Sequence, residues 1–312
     1  MSVWNKEPVR PRRRAWLTWA TAGAAAVLAG CQAAPVVAPP PAEPVPPPPP
    51  PPPPRLPRLG LALGGGAARG FAHIGVIQAL EEAGIRPDLV VGTSAGSLVA
   101  ALYASGKRAP ELIRLADSMD EASITDWAFP GRGLIRGEAL ARFVREHTGA
   151  RTIEQMALPL GIVATDLDSG APILFQRGDA GIAVRASSAV PAVFQPVKIG
   201  SREYVDGGLV SPVPVRFARQ MGAEVVLAVD ISADPEGAAT SDAVRMLLQT
   251  FAIMGRSINQ FELREADVVL RPRLAGVSGA DFAARRRVIQ AGREAARAAL
   301  PELRARMAPR LP

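Results

Sequence analysis

The chain has 312 residues, 48% hydrophobic and only 5% aromatic, which is enough apolar material for one large domain or two small ones. Its formal net charge is +7, but Lys6, Arg10, Arg12, Arg13 and Arg14 against Glu7 place +4 of it in the first thirty residues. The remaining +3 or so is spread without a basic block interleaved with aromatic residues, which argues against a nucleic-acid partner. The single cysteine, Cys31, excludes a disulfide within one chain, and with His73 and His147 far from it the sequence offers no metal cluster.

Residues 1–30 read as a targeting segment rather than as structure. A basic start leads into an apolar, alanine-rich run from Ala15 to Ala29, too short and mild for a permanent membrane helix. The run ends in Leu28-Ala29-Gly30-Cys31, which resembles the lipobox of bacterial lipoproteins, with the Cys31 thiol as the lipidated group. The plain alternative is a chance cluster of small residues around a free cysteine. Diacylation plus N-acylation of Cys31 predicts a stable membrane anchor, since one acyl chain alone holds only marginally. Arg13-Arg14-Ala15-Trp16-Leu17 also resembles a twin-arginine export signal, and that route and the general secretory route both stay open. Gln32 in place of aspartate leans, by resemblance to Gram-negative lipoproteins, toward the outer membrane, so the expected location is the periplasmic side of a bacterial envelope. Residues 31–57 hold the cysteine and a proline-rich tether, unbroken proline from Pro46 to Pro54. Such a run adopts extended polyproline II, and some twenty residues at about 3.1 Å each reach roughly 60–70 Å. No stretch after residue 30 looks transmembrane.

A folded domain is expected over residues 58–312. Leu59–Leu63 reads as a strand, a glycine loop follows, and a helix runs from about Phe71 to Ala83, capped by Gly84. Leu89–Val91 is a second strand, with helix-forming residues from Ala95. Strand–loop–helix repeated in this way is the unit of a parallel sheet with helices on both faces, an α/β fold. Residues 107–158 read as mostly helical, most clearly from Gly137 to His147, as either a lid or a layer on the sheet. Leu160–Asp166 and Pro172–Phe175 read as a strand pair turned by Asp168-Ser169-Gly170. A helix near 181–188, a hairpin over Val197–Val205, a helix from Pro214 to Met221 and a strand over Glu224–Val229 follow. A long helix over 241–264, a strand over Ala266–Leu270 and a helical tail from Ala280 complete the chain.

Chemistry concentrates at Gly92-Thr93-Ser94-Ala95-Gly96, the Gly-x-Ser-x-Gly spacing of a nucleophile elbow. Gly92 and Gly96 lack the Cβ atoms that would clash as helix folds back on strand, which leaves Ser94 at the tip of the turn. The bland alternative makes Ser94 a helix cap. A serine nucleophile needs a base. His73 sits just after the glycine loop and His147 at a helix C-terminus, both better explained by packing or capping, and no histidine follows them. That leaves a carboxylate, and Asp166, Asp168, Asp206 and Asp230 all stand at strand or turn ends, where spacing does not choose among them. The run Gly64-Gly65-Gly66-Ala67-Ala68-Arg69-Gly70 presents successive backbone N–H groups that suit an oxyanion. Its glycines at 64, 66 and 70 miss the dinucleotide-binding spacing by one residue, so no nucleotide cofactor is expected.

Three blocks in order, Gly64–Gly70 with His73-Ile74-Gly75-Val76, Gly92–Gly96, and Asp206-Gly207-Gly208, resemble those of patatin-like phospholipases, closest to the bacterial, neuropathy-target-esterase-type branch. The resemblance covers roughly residues 59–300. It implies a parallel α/β sheet and a Ser–Asp dyad with Ser94 as nucleophile and Asp206 as base. It also implies an oxyanion hole from Gly64, Gly65, Gly66 and Gly70, with Arg69 as a nearby positive group. No cofactor or metal is implied, and the expected substrate is a phospholipid, lysophospholipid or other acyl ester. Ala67-Ala68 adds a residue to the loop compared with the plant-type form, which leaves open which N–H groups meet the oxyanion. The same dyad also serves thioesterases and acyltransferases, and a non-catalytic lipid-binding scaffold is the rival outside enzymes.

Overall fold

The structure, a computed structural model, describes residues 55–120, 124–127, 132–233 and 242–309. The expected leader, Cys31 and the tether to residue 54 lie outside the described residues. The chain opens with β1 (Leu59–Leu63), a 3-10 turn (Ala67–Gly70), α1 (Phe71–Glu82), β2 (Leu89–Thr93), α2 (Ala95–Ala104) and α3 (Ala109–Ser118). It continues through β3 (Gly133–Ile135), α4 (Glu138–Thr148), β4 (Leu160–Asp166), β5 (Pro172–Phe175), α5 (Ala180–Ser187) and β6 (Ala192–Phe194). Then follow β7 (Val197–Ile199), β8 (Arg202–Asp206), α6 (Val215–Gln220) and β9 (Val225–Val229). It closes with α7 (Ala243–Glu262), β10 (Val268–Leu270) and α8 (Arg285–Arg306).

Eight strands form one sheet in the order β10-β9-β1-β2-β4-β8-β7, with β5 paired on β4. The run from β10 to β4 is parallel throughout. Antiparallel strands β5 and β8 both pair with β4, and β7 pairs with β8. The parallel strands are continuous apolar runs because both of their faces are covered. Alternation sends Leu59, Leu61 and Leu63 into a core shared with α1–α5 and α8. Ala62, Val91 and Val226 point the other way, onto Val215, Phe217 and Ala218 of α6. Helices therefore lie on both faces, unevenly.

The expected elements are present with shifted ends, and two short strands depart from expectation. β3 and β6 pair in parallel as a separate two-stranded sheet, inside segments read as helical or irregular. Three residues are too few to carry a period of two, and Pro191 beside β6 hides it further. In residues 107–158, α3 and α4 bury Leu112, Ala116, Leu140 and Phe143 in the core, so these helices are a layer on the sheet.

α1 and α8 approach so closely that a Cβ at Gly75 would lie 1.8 Å from the Ile289 carbonyl oxygen, and one at Gly292 would lie 1.9 Å from that of Ala72. Backbone on both sides leaves no rotamer to escape into. Gly75→Ala is expected to destabilise the fold by about 1–3 kcal/mol or more through overpacking, seen as a lower urea midpoint at unchanged slope. An unchanged midpoint would contradict this packing.

Candidate active site

β2 runs directly into α2 through Ser94, whose backbone sits at φ 53°, ψ −124°. This is a sparsely populated conformation for a residue with a side chain, the strained geometry of an elbow. The turn closes because nothing fills the glycine positions: a Cβ at Gly92 would meet the Gly96 carbonyl at 2.4 Å, and one at Gly96 the Leu63 carbonyl at 2.1 Å. The Ser94 N–H donates to Ser187 Oγ at 2.8 Å, and Ser187 Oγ donates to the Val163 carbonyl at 2.6 Å. The Ser94 carbonyl accepts from Ser97 N–H at 2.8 Å and from Ser97 Oγ at 2.6 Å. The backbone of Ser94 is thus pinned from both sides, and its half-buried hydroxyl faces the cavity.

β4 brings the partner carboxyl to this hydroxyl. Thr93 pairs with Val163 in the parallel β2–β4 ladder, and Asp206 pairs with Ala164 in the antiparallel β4–β8 ladder. β5 occupies residues 162–165 of β4 on one edge, so β2 and β8 share the opposite edge and meet end to end. The residues that follow β2 and end β8 are therefore neighbours although 112 positions separate them. Thr165 Oγ1 donates to the Asp206 carbonyl at 2.8 Å and fixes that end. Gly207 presses on the Val163 carbonyl, where a Cβ would come within 2.2 Å.

Asp206 is buried, and burial pushes its carboxyl up to about 6, an effect only partly offset by Ser94 and by the Gly208 amide. Oδ1 accepts from Gly208 N–H at 2.7 Å. Oδ2 is buried without a fully formed hydrogen bond, and the Ser94 hydroxyl lies near enough to favour the charged form. The other aspartates do other work. Asp166 is held to about 2 by Arg202 and the Ser169 amide, and it closes the β4–β5 turn. Asp168 is exposed in that turn, and Asp230 faces Arg271 at 3.4 Å.

The glycine loop lies against the elbow, with a Cβ at Gly65 reaching within 3.2 Å of Ser94 Cβ. Here the expected oxyanion donors need correction. The Gly64 N–H donates to the Val229 carbonyl at 3.0 Å and the Gly65 N–H to that of Pro212 at 2.9 Å, so neither amide is available. The N–H groups of Gly66 and of Ala95, at the start of α2, have no acceptor among the described residues, and both residues line the cavity. Gly70 packs on Ala95, where a Cβ would stand 2.8 Å from that of Ala95, so it brings loop and elbow together. The Arg69 guanidinium lines the cavity; burial lowers its pKa and Asp230 partly restores it.

Neither histidine approaches a base role. His73 is fully buried, its Nε2 donates to the Gly64 carbonyl at 2.8 Å, and burial lowers it to about 4, so it is a neutral brace of the loop. His147 stacks edge-on to Phe143 in the last turn of α4. Sequence reasoning missed Ser187, Ser211 and Glu262. The buried Ser211 Oγ donates to Glu262 at 2.6 Å, and its carbonyl accepts from Thr93 Oγ1 at 2.9 Å, so the segment after Asp206 ties α7 to the elbow. Burial pushes Glu262 up to about 7. A serine on α5 and a glutamate far along the chain carry no local motif, so no spacing rule finds them.

Ser94, Asp206 and the glycine loop open on a cavity of about 930 Å³. Its walls are mainly apolar, including Leu98, Leu112, Leu140, Phe194, Phe251 and Phe282. Among the described residues no group of three or more His, Cys, Asp or Glu could hold a metal ion. A buried carboxylate beside a strained serine hydroxyl, with amides and an apolar chamber around them, has the parts for acyl transfer.

A mycobacterial relative, an uncharacterized NTE family protein of Mycobacterium tuberculosis, is 39% identical over 186 residues, 59% of this chain and 51% of the relative. Mouse patatin-like phospholipase domain-containing protein 6 is 37% identical over 188 residues, 57% of this chain but 14% of that protein. The chain thus spans about half the length of the mycobacterial relative and far less of the mouse one. The crystal structure of VipD from Legionella pneumophila shares the fold at a TM-score of 0.55 and 14% identity, covering 80% of this chain and 67% of VipD. The family model for patatin-like phospholipases matches residues 61–219, from β1 through the elbow and Asp206-Gly207-Gly208 into α6, and the chain belongs to that family.

Proposed function

We propose that this protein is a serine hydrolase of lipid acyl esters working through a Ser94–Asp206 dyad. The observation that carries the reading is the meeting of the strained Ser94 hydroxyl with a buried carboxyl whose pKa is raised to about 6. An aspartate at its ordinary pKa is a weak base at neutral pH, and burial brings this one nearer the working range. Asp206 takes the Ser94 proton as Oγ attacks the ester carbonyl carbon, and the Gly66 and Ala95 amides receive the developing oxyanion. The intermediate collapses, the leaving alcohol takes the proton back from Asp206, and an acyl-Ser94 ester remains. Water, losing its proton to Asp206, attacks the acyl carbon, and the fatty acid leaves as Asp206 returns that proton to Ser94 Oγ. The apolar cavity suits acyl chains, and a phospholipid or lysophospholipid is the proposed substrate class. A lipidated Cys31 on the proline-rich tether would hold the enzyme beside such substrates at a bacterial membrane.

A serine-directed fluorophosphonate combined with a fatty-acid release assay tests the proposal. Ser94→Ala is expected to lose both labelling and turnover, and Asp206→Asn to lower kcat by about 10³-fold or more with little change in substrate binding. A folded wild type that takes no label would favour the scaffold reading instead.

The raised carboxyl pKa values predict opposite trends for activity and stability. kcat/KM should rise with pH through about 6 as Asp206 ionises. Because folding raises Asp206 and Glu262 above their unfolded values, their stabilising contribution is complete below pH ~4. It is lost as pH climbs through about 6 and about 7 respectively. Asp206→Asn should therefore gain on wild type in thermal stability at pH 8, by on the order of 3 kcal/mol at most. Equal melting shifts for the two proteins between pH 5 and pH 8 would show that Asp206 is not perturbed by burial.

A further inference from the structure

We infer that α7 is an interfacial helix: it lays its outward apolar face on a lipid surface and so places the cavity mouth against that surface. The inference rests on the lipid-ester reading above and names how the substrate is presented. α7 runs for 20 residues, yet only Asn259 and Glu262 are buried. Met246 is 59% exposed, Ile253 51%, Met254 46% and Phe261 67%. At 100° per residue these four side chains share one arc of roughly 100°, and the residues between them on that arc, Thr250 and Ser257, are uncharged. A run of large apolar side chains exposed along one helix marks an interaction surface rather than ordinary surface composition.

Position selects the occupant. The one carboxylate within α7, Glu262, is turned inward onto Ser211, and Arg245 pairs with Asp242 at 3.3 Å just before the helix. A helix with an apolar outer stripe and polar sides matches the boundary between lipid headgroups and acyl chains. The inward side of the same helix supplies Leu248, Phe251 and Gly255 to the cavity that holds Ser94, and Met254 of the outer arc lines it too. A lipid surface seated on the outer arc therefore lies within one helix diameter, about 10 Å, of the acyl chamber. No helix among the described residues is long and apolar enough to cross a membrane.

The test uses the full chain carrying Cys31→Ser, so that an acyl anchor does not contribute, and compares it with the same chain bearing Met246→Ser, Ile253→Ser and Phe261→Ser. None of the three side chains lines the cavity. Sedimentation with phosphatidylcholine–phosphatidylglycerol vesicles should show the triple variant partitioning at least about tenfold more weakly. Hydrolysis of a soluble short-chain ester and the circular-dichroism melt should be unchanged, and hydrolysis of vesicle phospholipid should fall in parallel with binding. Equal partitioning of parent and triple variant overturns the inference. So does a parent dimer in light scattering that the triple variant dissolves without a change in vesicle binding. Vesicle binding is read independently of turnover, so a parent that binds but hydrolyses no ester would count against the catalytic reading and leave α7 docking intact.

Discussion

One edge of β4 holds the site together. Val163 and Ala164 are adjacent residues of a fully buried strand, and the first pairs with Thr93 of β2, the second with Asp206 of β8. Parallel and antiparallel neighbours meet head to head on that edge because β5 has taken the other. The separation of Ser94 and Asp206 is thus set by ladder geometry rather than by loops. Side chains reinforce it: Ser187 bridges the Val163 carbonyl to the Ser94 amide, and Thr165 holds the Asp206 carbonyl. A site positioned by strand ends tolerates less drift than one carried on flexible loops.

Burial then sets the chemistry. The same apolar packing that orders the sheet withdraws water from Asp206, and its carboxyl rises toward the range where it can exchange a proton with an alcohol near neutral pH. The cost falls on the folded state, which holds Asp206 and Glu262 in places where their charged forms are poorly solvated. Strain at Ser94 points the same way, since a residue held at positive φ persists only where surrounding contacts over-determine it. The glycine loop is organised from behind: the Gly64 and Gly65 amides are spent on Val229 and Pro212, and His73 braces the Gly64 carbonyl. That leaves Gly66, Ala67 and Ala95 as cavity-lining residues whose amides have no acceptor among the described residues.

The segment after Asp206 links these parts. Within a few residues it packs Gly207 on β4, accepts the Thr93 hydroxyl at Ser211, accepts the Gly65 amide at Pro212 and receives Glu262 from α7. Elbow, glycine loop and cavity-wall helix are therefore joined through one short stretch of chain. This coupling gives α7 a firm root at its C-terminal end while most of its length stays exposed.

Local features were legible in the sequence because their causes are local. Gly-x-Ser-x-Gly between an apolar run and a helix announces an elbow, since only glycine permits the close approaches found at Gly92 and Gly96. The parallel sheet followed from repeated strand–loop–helix units, and the two histidines were set aside from their positions alone. Choosing Asp206 among four aspartates needed the resemblance carried by Asp206-Gly207-Gly208, because each stands at a strand or turn end and looks alike in one dimension. What only the tertiary structure decided depends on pairing between distant segments: the shared edge of β4, the loss of Gly64 and Gly65 as oxyanion donors, the Ser211–Glu262 tie and the outward face of α7. Hydrogen-bond partners and burial are properties of neighbours in space, and a sequence orders its residues along a line.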